Sequence, residues 1–303
     1  MTLTSTMLNR LRGLNQTTFD LLRTVTHQVK DLYNKATYIQ RQQFFNAKTK
    51  LSWGELFQKI KSTSEYKKLP SDLAQQTLMT VNRNFESFFK QIKKKQQEDH
   101  NKKIGLPNYL NKDGHFQLTF IPRLFEMDHD NQDYHDEVRL CLGNRGKAST
   151  GTRYFYLPAP PLGIKPKQIR IIPRWNGLFF DIDYVYDIEP IPREQPARSD
   201  TYLAIDLGLD NFATCVTTNE TAFIIEGSGI KSFNRWWNKR KAKYQSRLAK
   251  QGITTMTRRM ARMQKYRNDV ITNFLNHVVH YIIDYCLDHQ IETIVVGEWG
   301  DMK

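Results

Sequence analysis

Apolar residues recur at steps of three and four from Thr18 to Ala47, a spacing that places them on one face of a helix. The face consists of Leu22, Val25, Val29, Leu32, Ala36 and Ile39. Ser52 and Glu55 have the spacing of a capping box before a short helix. A further helix begins at Pro70, with its apolar stripe at Leu78, Val81, Phe85, Phe88, Phe89 and Ile92. Residues 1–114 are therefore predicted to form a helical domain.

Near His115 the spacing of apolar residues changes from the helical pattern to the alternation of a β-strand, in which every second residue is apolar. The segments FQLTF, YFYLPAP, QIRIIPRW and LFFDIDYVYDI alternate apolar and polar residues, as half-buried strands do. Asn176-Gly177 between two of them is typical of a tight hairpin turn. Several short strands separated by prolines favour a small β-barrel or sandwich over residues 115–198. Pro190, Pro192 and Pro196 then predict a stiff linker.

The remaining region, residues 199–303, has the pattern of an α/β domain. Strands are predicted at 203–207, 212–217, 222–226 and 294–296, with a long basic helical stretch before the last strand. The chain as a whole is thus predicted to be an α+β protein of several domains.

Two carboxylates follow apolar strands of this last region. In TYLAIDLGLDNFATCVTT, Asp206 comes directly after Leu203, Ala204 and Ile205, within a strand that we expect to be buried. Glu298 comes just after the apolar strand 294–296, which we also expect to be buried. If the two strands are neighbours, the acids converge at one edge of a sheet, where a pair of bare like charges is costly. A hard cation, Mg²⁺ or Mn²⁺, would relieve that cost by taking carboxylate oxygens as ligands.

The single acids have simpler explanations when each is taken alone. Asp206 is also compatible with a turn or cap at the end of a strand. Asp210 is better explained as a turn residue of the following hairpin than as a ligand, and Asp301 has no assigned role. The metal hypothesis therefore depends on Asp206 and Glu298 as a pair.

The charge balance favours a polyanionic partner. Lys and Arg total 45 against 31 Asp and Glu, a net charge of +14, and neutralising phosphates releases counterions. The basic helical stretch contains few acids, so we expect it to lie along the phosphate backbone of a nucleic acid, with Trp236, Trp237 and Tyr244 available for stacking on bases. The alternative is a basic helical face that is simply exposed to solvent. The predicted nucleic-acid-binding residues are Trp236, Arg240, Lys243, Arg247, Arg258, Arg259, Arg262, Lys265 and Arg267.

The cysteines and the apolar runs exclude several classes of protein. The three cysteines, Cys141, Cys215 and Cys286, form no CxxC pair, so neither a disulfide framework nor a zinc site is expected. No apolar run approaches the roughly 18 residues of a membrane helix, and the N-terminus has no secretory signal. A cytoplasmic protein without a membrane partner is predicted.

The ordered motifs of the chain resemble those of the TnpB family, the transposon-encoded relatives of type V CRISPR effectors. The motifs are IDLGLDNFATCVTT, GIKSFNRWWNKRKAKYQSRL and HVVHYIIDYCLDHQIETIVVGEWGDMK, preceded by LPSDLAQQTLMTVNRNFESFFKQIKKK and KIGLPNYLNKDGHFQLTF. The resemblance covers the chain from about Pro70 to its end. It implies an RNA-guided, metal-dependent DNA endonuclease that binds guide RNA and target double-stranded DNA.

The resemblance also implies a domain makeup and site residues. A helical recognition lobe would be followed by an oligonucleotide-binding-type β-barrel, called the wedge domain, and by a RuvC-like nuclease domain of the RNase H fold. Asp206 matches the first catalytic aspartate of the family and Glu298 its catalytic glutamate, so both are expected to be catalytic and metal-binding. Mg²⁺ or Mn²⁺ and guide RNA are the expected cofactors.

The sequence departs from the family pattern at both ends. After its glutamate strand the family continues into a four-cysteine zinc-binding insertion and a third catalytic aspartate, whereas this sequence stops at Lys303. We therefore expect a partial nuclease domain without zinc, completed by a partner chain or by a further C-terminal segment. At the other end, the chain is expected to begin almost directly in helix, without a clear first strand for the barrel; a short N-terminal wedge segment within residues 1–114 is the alternative.

Two other classes of function remain open. The missing third acid favours an RNA-guided DNA-binding protein that does not cut. A strand followed by Asp-Leu-Gly and a hairpin also occurs in actin-like ATPases, but these need a second glycine-rich phosphate loop, for which only EGSGI at 226–230 is available.

Overall fold

The computed structural model describes residues 3–98, 104–127, 137–189, 201–208 and 210–297, without the side chains of 96–98. Contacts divide the chain into two compact units, Met1–Pro190 and Ile191–Lys303. The predicted linker prolines at 190, 192 and 196 lie outside the described residues.

Within the described residues the first unit contains five α-helices, and the two start signals predicted from the sequence, at Ser52 and Pro70, are present. Asn15 caps the first helix by accepting a hydrogen bond of 2.7 Å from the Thr18 amide. The predicted capping box of Ser52 and Glu55 is present before the second helix, and Pro70 immediately precedes the fourth. The helices are α1 (Gln16–Ala47), α2 (Trp53–Ile60), α3 (Ser64–Lys67), α4 (Ser71–Glu98) and α5 (Gly143–Thr150).

The described strands of the first unit form two open antiparallel sheets. They are β1 (Leu3–Arg10), β2 (Leu118–Phe120), β3 (Phe125–Met127), β4 (Glu137–Cys141), β5 (Tyr154–Pro158), β6 (Pro166–Arg174) and β7 (Phe179–Ile188). The first sheet has the order β1-β7-β6-β2 and the second β3-β4-β5. The predicted turn at Asn176-Gly177 joins β6 to β7, with φ values of 58° and 69°, which asparagine and glycine tolerate best.

The expectations for the barrel need two corrections. Within the described residues both sheets have free edge strands, so no closed barrel is present. The chain also does not begin directly in helix, because β1 pairs over its whole length with β7, from Leu3 opposite Ile188 to Arg10 opposite Asp181. The strand was missed because its own pattern is weak: most of its side chains are exposed, and long-range pairing rather than local patterning holds it in place.

One hydrophobic core joins the helices and both sheets of the first unit. The core includes Leu22 and Val29 of α1, Phe85 of α4, and residues of both sheets. Phe120 of the first sheet packs edge-on against Phe155 of the second at 6.1 Å. The residues predicted as a helical lobe and as a β domain therefore share a continuous core, and the division at 114 remains a prediction.

The second unit is a four-stranded sheet with helices between its third and fourth strands. Its elements are β8 (Tyr202–Leu207), β9 (Asn211–Thr217), β10 (Ala222–Glu226), α6 (Ser228–Lys250), α7 (Arg258–Asp288) and β11 (Thr293–Val296). The sheet order is β10-β9-β8-β11, with β8 to β10 antiparallel and β11 parallel to β8. Every predicted strand is present to within one residue.

Only one face of this second sheet is covered by a described element. Leu203 and Ile205 of β8 pack with Val278, Ile282 and Cys286 of α7. The strand 294–296 was expected to be buried, but this is wrong: it is an edge strand of the described sheet, and its valines are about half exposed, Val295 at 50% and Val296 at 51%. An apolar strand is not buried merely by being apolar; it needs an element packed over it.

No helix of the described chain is both long and apolar enough to cross a membrane.

Candidate catalytic edge and nucleic-acid interface

Asp206 lies at the carboxyl end of β8, on the face turned away from α7. Because side chains alternate along a strand, the buried Ile205 and the exposed Asp206 point to opposite faces. The expectation of a buried charge is therefore wrong: the acid is accessible. Across the ladder, Asp206 is opposite Thr214 of β9, a neighbour that the sequence argument did not include.

The end of β11 lies beside this carboxylate. The parallel register pairs Val296 with Ile205, and the Gly297 amide donates a hydrogen bond of 3.0 Å to the Ile205 carbonyl. A Cβ on Gly297 would stand 3.9 Å from Asp206 Oδ1. The predicted partner Glu298 is the next residue in the sequence, but it lies outside the described residues, as does Asp301. The predicted adjacency of the two strands is confirmed, and the pair of acids remains a prediction.

Asp210 is occupied by a different interaction. Its carboxylate forms an ion pair with Lys231 of α6, and this hydrogen bond lowers the pKa of Asp210. Its carbonyl accepts a hydrogen bond of 3.2 Å from the Gly227 amide. Asp210 therefore ties the β8–β9 connection to the beginning of α6, in agreement with a structural rather than a metal-binding role.

Within the described ranges, no three His, Cys, Asp or Glu side chains come together in a group that could hold a metal ion. The cysteines are free, with Cys215 and Cys286 buried in the core of the second unit, and burial raises the pKa of both thiols. These two cysteines are packing residues.

Helices α6 and α7 form a hairpin that is held together by Trp237. The Trp237 indole is buried and donates a hydrogen bond of 3.1 Å from Nε1 to the Met263 carbonyl. Lys241 and Arg267 each place a cation 5.0 Å from its ring. The expectation that Trp237 is available for stacking on a base is therefore wrong, because its ring is buried and is contacted by Lys241 of its own helix and Arg267 of α7.

Trp236, the residue before it, remains accessible. Its side chain is 44% exposed, and the Arg240 guanidinium lies 5.0 Å from its ring. Arg259 is placed similarly over Tyr244, also at 5.0 Å. An exposed ring with an arginine beside it is a combination that binds bases and phosphates together.

The other predicted cations separate into two groups. Lys265 pairs with Asp269 within α7 at 3.2 Å. Arg267, besides contacting Trp237, donates a hydrogen bond of 2.9 Å to Asn234 and so joins α7 to α6. The exposed group faces solvent along the two helices and consists of Arg240, Lys243, Arg247, Arg258, Arg259 and Arg262.

A family model described as "Probable transposase", OrfB_IS605, matches residues 183–302, which include all of the second unit that the structure describes. This segment is therefore similar to the probable transposases that the model describes. The resemblance drawn from the motifs is thereby confirmed over these residues. The match includes Asp206, the α6–α7 hairpin and β11.

Two solved structures are similar to the chain at low identity. One is a complex of Cas12f1 with sgRNA and target DNA, at 14% identity over 98% of this chain and 73% of that one, with a TM-score of 0.33. The other is a CRISPR-Cas12f ternary complex, at 12% identity over 94% of this chain and 63% of that one, with a TM-score of 0.38. No curated protein matches the chain.

Proposed function

We propose that the protein is an RNA-guided DNA endonuclease of the TnpB type, with its RuvC-like catalytic edge at the ends of β8 and β11. The observation that carries the proposal is the parallel register of these strands, which brings Gly297 beside Asp206 within the segment matched by the transposase model. Glu298 follows Gly297 directly and is proposed as the second acid of the site.

The residues at this edge suit a hard divalent cation. Asp206 presents two carboxylate oxygens at an exposed sheet margin, and carboxylate oxygens are the ligands that Mg²⁺ and Mn²⁺ prefer. We propose that Asp206 and Glu298 hold the metal. When bound, such an ion lowers the pKa of a coordinated water and stabilises charge on phosphate oxygens.

The chain's own groups would orient the substrate around this site. Asp206 is held at the strand end by the ladder, opposite Thr214, so its backbone has a fixed position at this edge. The exposed cations of α6 and α7, with Trp236, are proposed to bind the backbone of guide RNA and of the RNA–DNA duplex. This surface does not need to recognise a base sequence, because base pairing between guide and target supplies the specificity.

The decisive experiment measures cleavage of target double-stranded DNA by protein that carries guide RNA, with and without Mg²⁺. Asp206→Asn should reduce the cleavage rate by roughly a thousandfold or more, since it removes a ligand that acts in the transition state. The matched control is Asp210→Asn, which neutralises an acid of the same hairpin and should retain cleavage.

The proposal fails if the Asp206→Asn protein cleaves at the rate of the unaltered chain, or if cleavage persists after chelation of divalent metals. Sequencing the RNA that accompanies the purified protein supplies the guide and avoids assuming its sequence.

A second candidate is a protein that is guided to DNA but does not cut it. Guide-dependent binding to the target without any Mg²⁺-dependent cleavage would establish this function instead.

A further inference from the structure

The two strands beside Asp206 present different surroundings to its carboxylate. On the β11 side, Gly297 has no side chain, and a Cβ there would lie 3.9 Å from Oδ1 of Asp206, with no other described side chain within 4 Å of that position. On the β9 side, Thr214 is directly opposite Asp206 in the antiparallel ladder. One side of the acid therefore faces open space, and the other faces a residue that carries a hydroxyl group.

Thr214 and Asp206 lie on the same face of the sheet, the one that α7 does not cover. Side chains alternate along β9, so the buried Ala213 and Cys215 face α7 and Thr214 points the other way. Directly opposed residues of an antiparallel pair have Cβ atoms about 4.5–5.5 Å apart. At that separation, rotation of the threonine side chain about χ1 brings its hydroxyl within hydrogen-bonding distance of the carboxylate.

Both groups are available for this interaction. Among the described residues, none forms a hydrogen bond or an ion pair with the Thr214 hydroxyl or with the Asp206 carboxylate. The other threonine of β9 differs, because the Thr217 hydroxyl donates a hydrogen bond of 3.3 Å to the Thr221 carbonyl. The Thr217 hydroxyl therefore stabilises the turn after β9, whereas the hydroxyl of Thr214 has no such structural role.

A carboxylate that binds a metal ion needs a neighbour to orient it. Carboxylate ligands are commonly held by hydrogen bonds from residues that do not touch the metal, and these bonds fix the direction of the ligand oxygens. A donor on the β9 side would direct the other carboxylate oxygen of Asp206 towards the space beside Gly297. Thr214 is the described residue in a position to be that donor.

We propose that Thr214 is a positioning residue of the catalytic edge, whose hydroxyl donates a hydrogen bond to the Asp206 carboxylate when a divalent cation is bound there. Thr214 acts through Asp206 and is not itself assigned to the metal or to the substrate. The inference rests on the proposed function, because it takes Asp206 as a metal ligand.

The test measures Mn²⁺ binding directly, with the full chain freed of nucleic acid by high salt. Electron paramagnetic resonance reports the free Mn²⁺, and the binding that Asp206→Asn removes defines the site. Thr214→Val removes the hydroxyl and keeps a β-branched side chain that suits a strand, while Thr214→Ser keeps the hydroxyl. The matched control is Thr217→Val, the same change on the opposite face of the same strand.

Thr214→Val should bind Mn²⁺ at this site roughly tenfold or more weakly than the unaltered chain, the usual effect of removing a hydrogen bond to a metal ligand. Thr214→Ser should bind within about threefold of the unaltered chain, because it retains the donor. Thr217→Val should bind as the unaltered chain does, because its side chain is on the face that α7 covers.

Equal Mn²⁺ affinities for Thr214→Val and the unaltered chain would overturn the inference. So would a Thr214→Ser protein that binds as weakly as Thr214→Val, since packing rather than the hydroxyl would then be responsible. An equal loss in Thr217→Val would overturn it as well, by showing a general change in the strand.

These outcomes are distinct from a failure of the proposed function. If Asp206→Asn removes no Mn²⁺ binding, the proposed metal site is wrong, and the inference fails with it. If Asp206→Asn removes the binding and Thr214→Val does not weaken it, the role of Thr214 alone is wrong and the nuclease proposal stands.

Discussion

The two units of the protein bury their apolar residues to very different degrees. In the first unit, helices and two sheets share a core in which Leu22, Phe85 and Tyr184 are fully buried. In the second, α7 covers one face of the sheet, and side chains such as Val295 and Ile224 of the sheet remain about half exposed. The first unit has the packing of a stable domain, whereas the second presents an open sheet.

The open sheet is the one that presents Asp206. An accessible face allows a substrate to reach the carboxylate, whereas a covered one would exclude it. The same openness leaves the second unit with fewer buried side chains to hold it together, so its stability is expected to depend on a small number of interactions.

The largest expected effect is in the core of the first unit. Phe85→Ala should lower the free energy of unfolding of this unit by about 3–5 kcal/mol, because it removes a fully buried ring and leaves a cavity. Urea denaturation with hydrogen exchange of peptides from each unit measures the two units separately. Met79→Ala on the same helix α4, and Val295→Ala in the open sheet, remove exposed side chains and should each cost less than about 1 kcal/mol. A cost at Val295 equal to that at Phe85 would show that the second sheet is covered in solution.

The next effect distinguishes the two neighbouring tryptophans of α6. Trp237→Ala should destabilise the second unit by about 3 kcal/mol, since the ring fills the contact between α6 and α7. Trp236→Ala should leave its stability within about 1 kcal/mol and instead weaken binding of single-stranded nucleic acid by about 1–3 kcal/mol, the usual contribution of a stacked base. The measurements are denaturation and anisotropy on both variants. The reverse result, with Trp236 needed for folding and Trp237 for binding, would contradict the assignment.

The smallest effect concerns pH and belongs to the first unit alone. Burial, aided by the charge of Arg23 and by His27, lowers the pKa of His115 from 6.5 to about 4. The unfolded chain therefore binds a proton that the folded unit does not, and stability present above pH 6.5 is lost as the pH falls from 6.5 towards about 4. Because the ring is only half buried, we expect a decrease of roughly 1–2 kcal/mol.

This pH effect is measured by urea denaturation at several pH values. His115→Gln should flatten the dependence, while His277→Gln, an exposed histidine of α7, should leave it unchanged. Identical pH profiles for the unaltered chain and His115→Gln would contradict the assignment.

Elements with strong local signals were predicted well from the sequence. The helix over 18–47, the capping box at Ser52 and the turn at Asn176 are all present, as are the four strands of the second unit. Each depends on residues close together in the chain, where period and capping chemistry act directly. The basic helical stretch was likewise recognised, because its charge is a property of composition.

Features that depend on distant partners were missed or misjudged. Strand β1 exists because β7 pairs with it, and Trp237 is buried because Met263 and Arg267 lie across from it. The exposure of Asp206 and of β11 likewise depends on which face α7 covers.

The sequence by itself determined the elements with strong local patterns, the basic helical stretch and the acid at the end of β8, because local spacing and charge are carried by neighbouring residues. Only the tertiary structure decided that β11 runs beside β8, that Gly297 lies next to Asp206, and that Trp237 of α6 is buried against α7. These arrangements join residues far apart in the chain, and their free energy depends on a packing that no local pattern encodes.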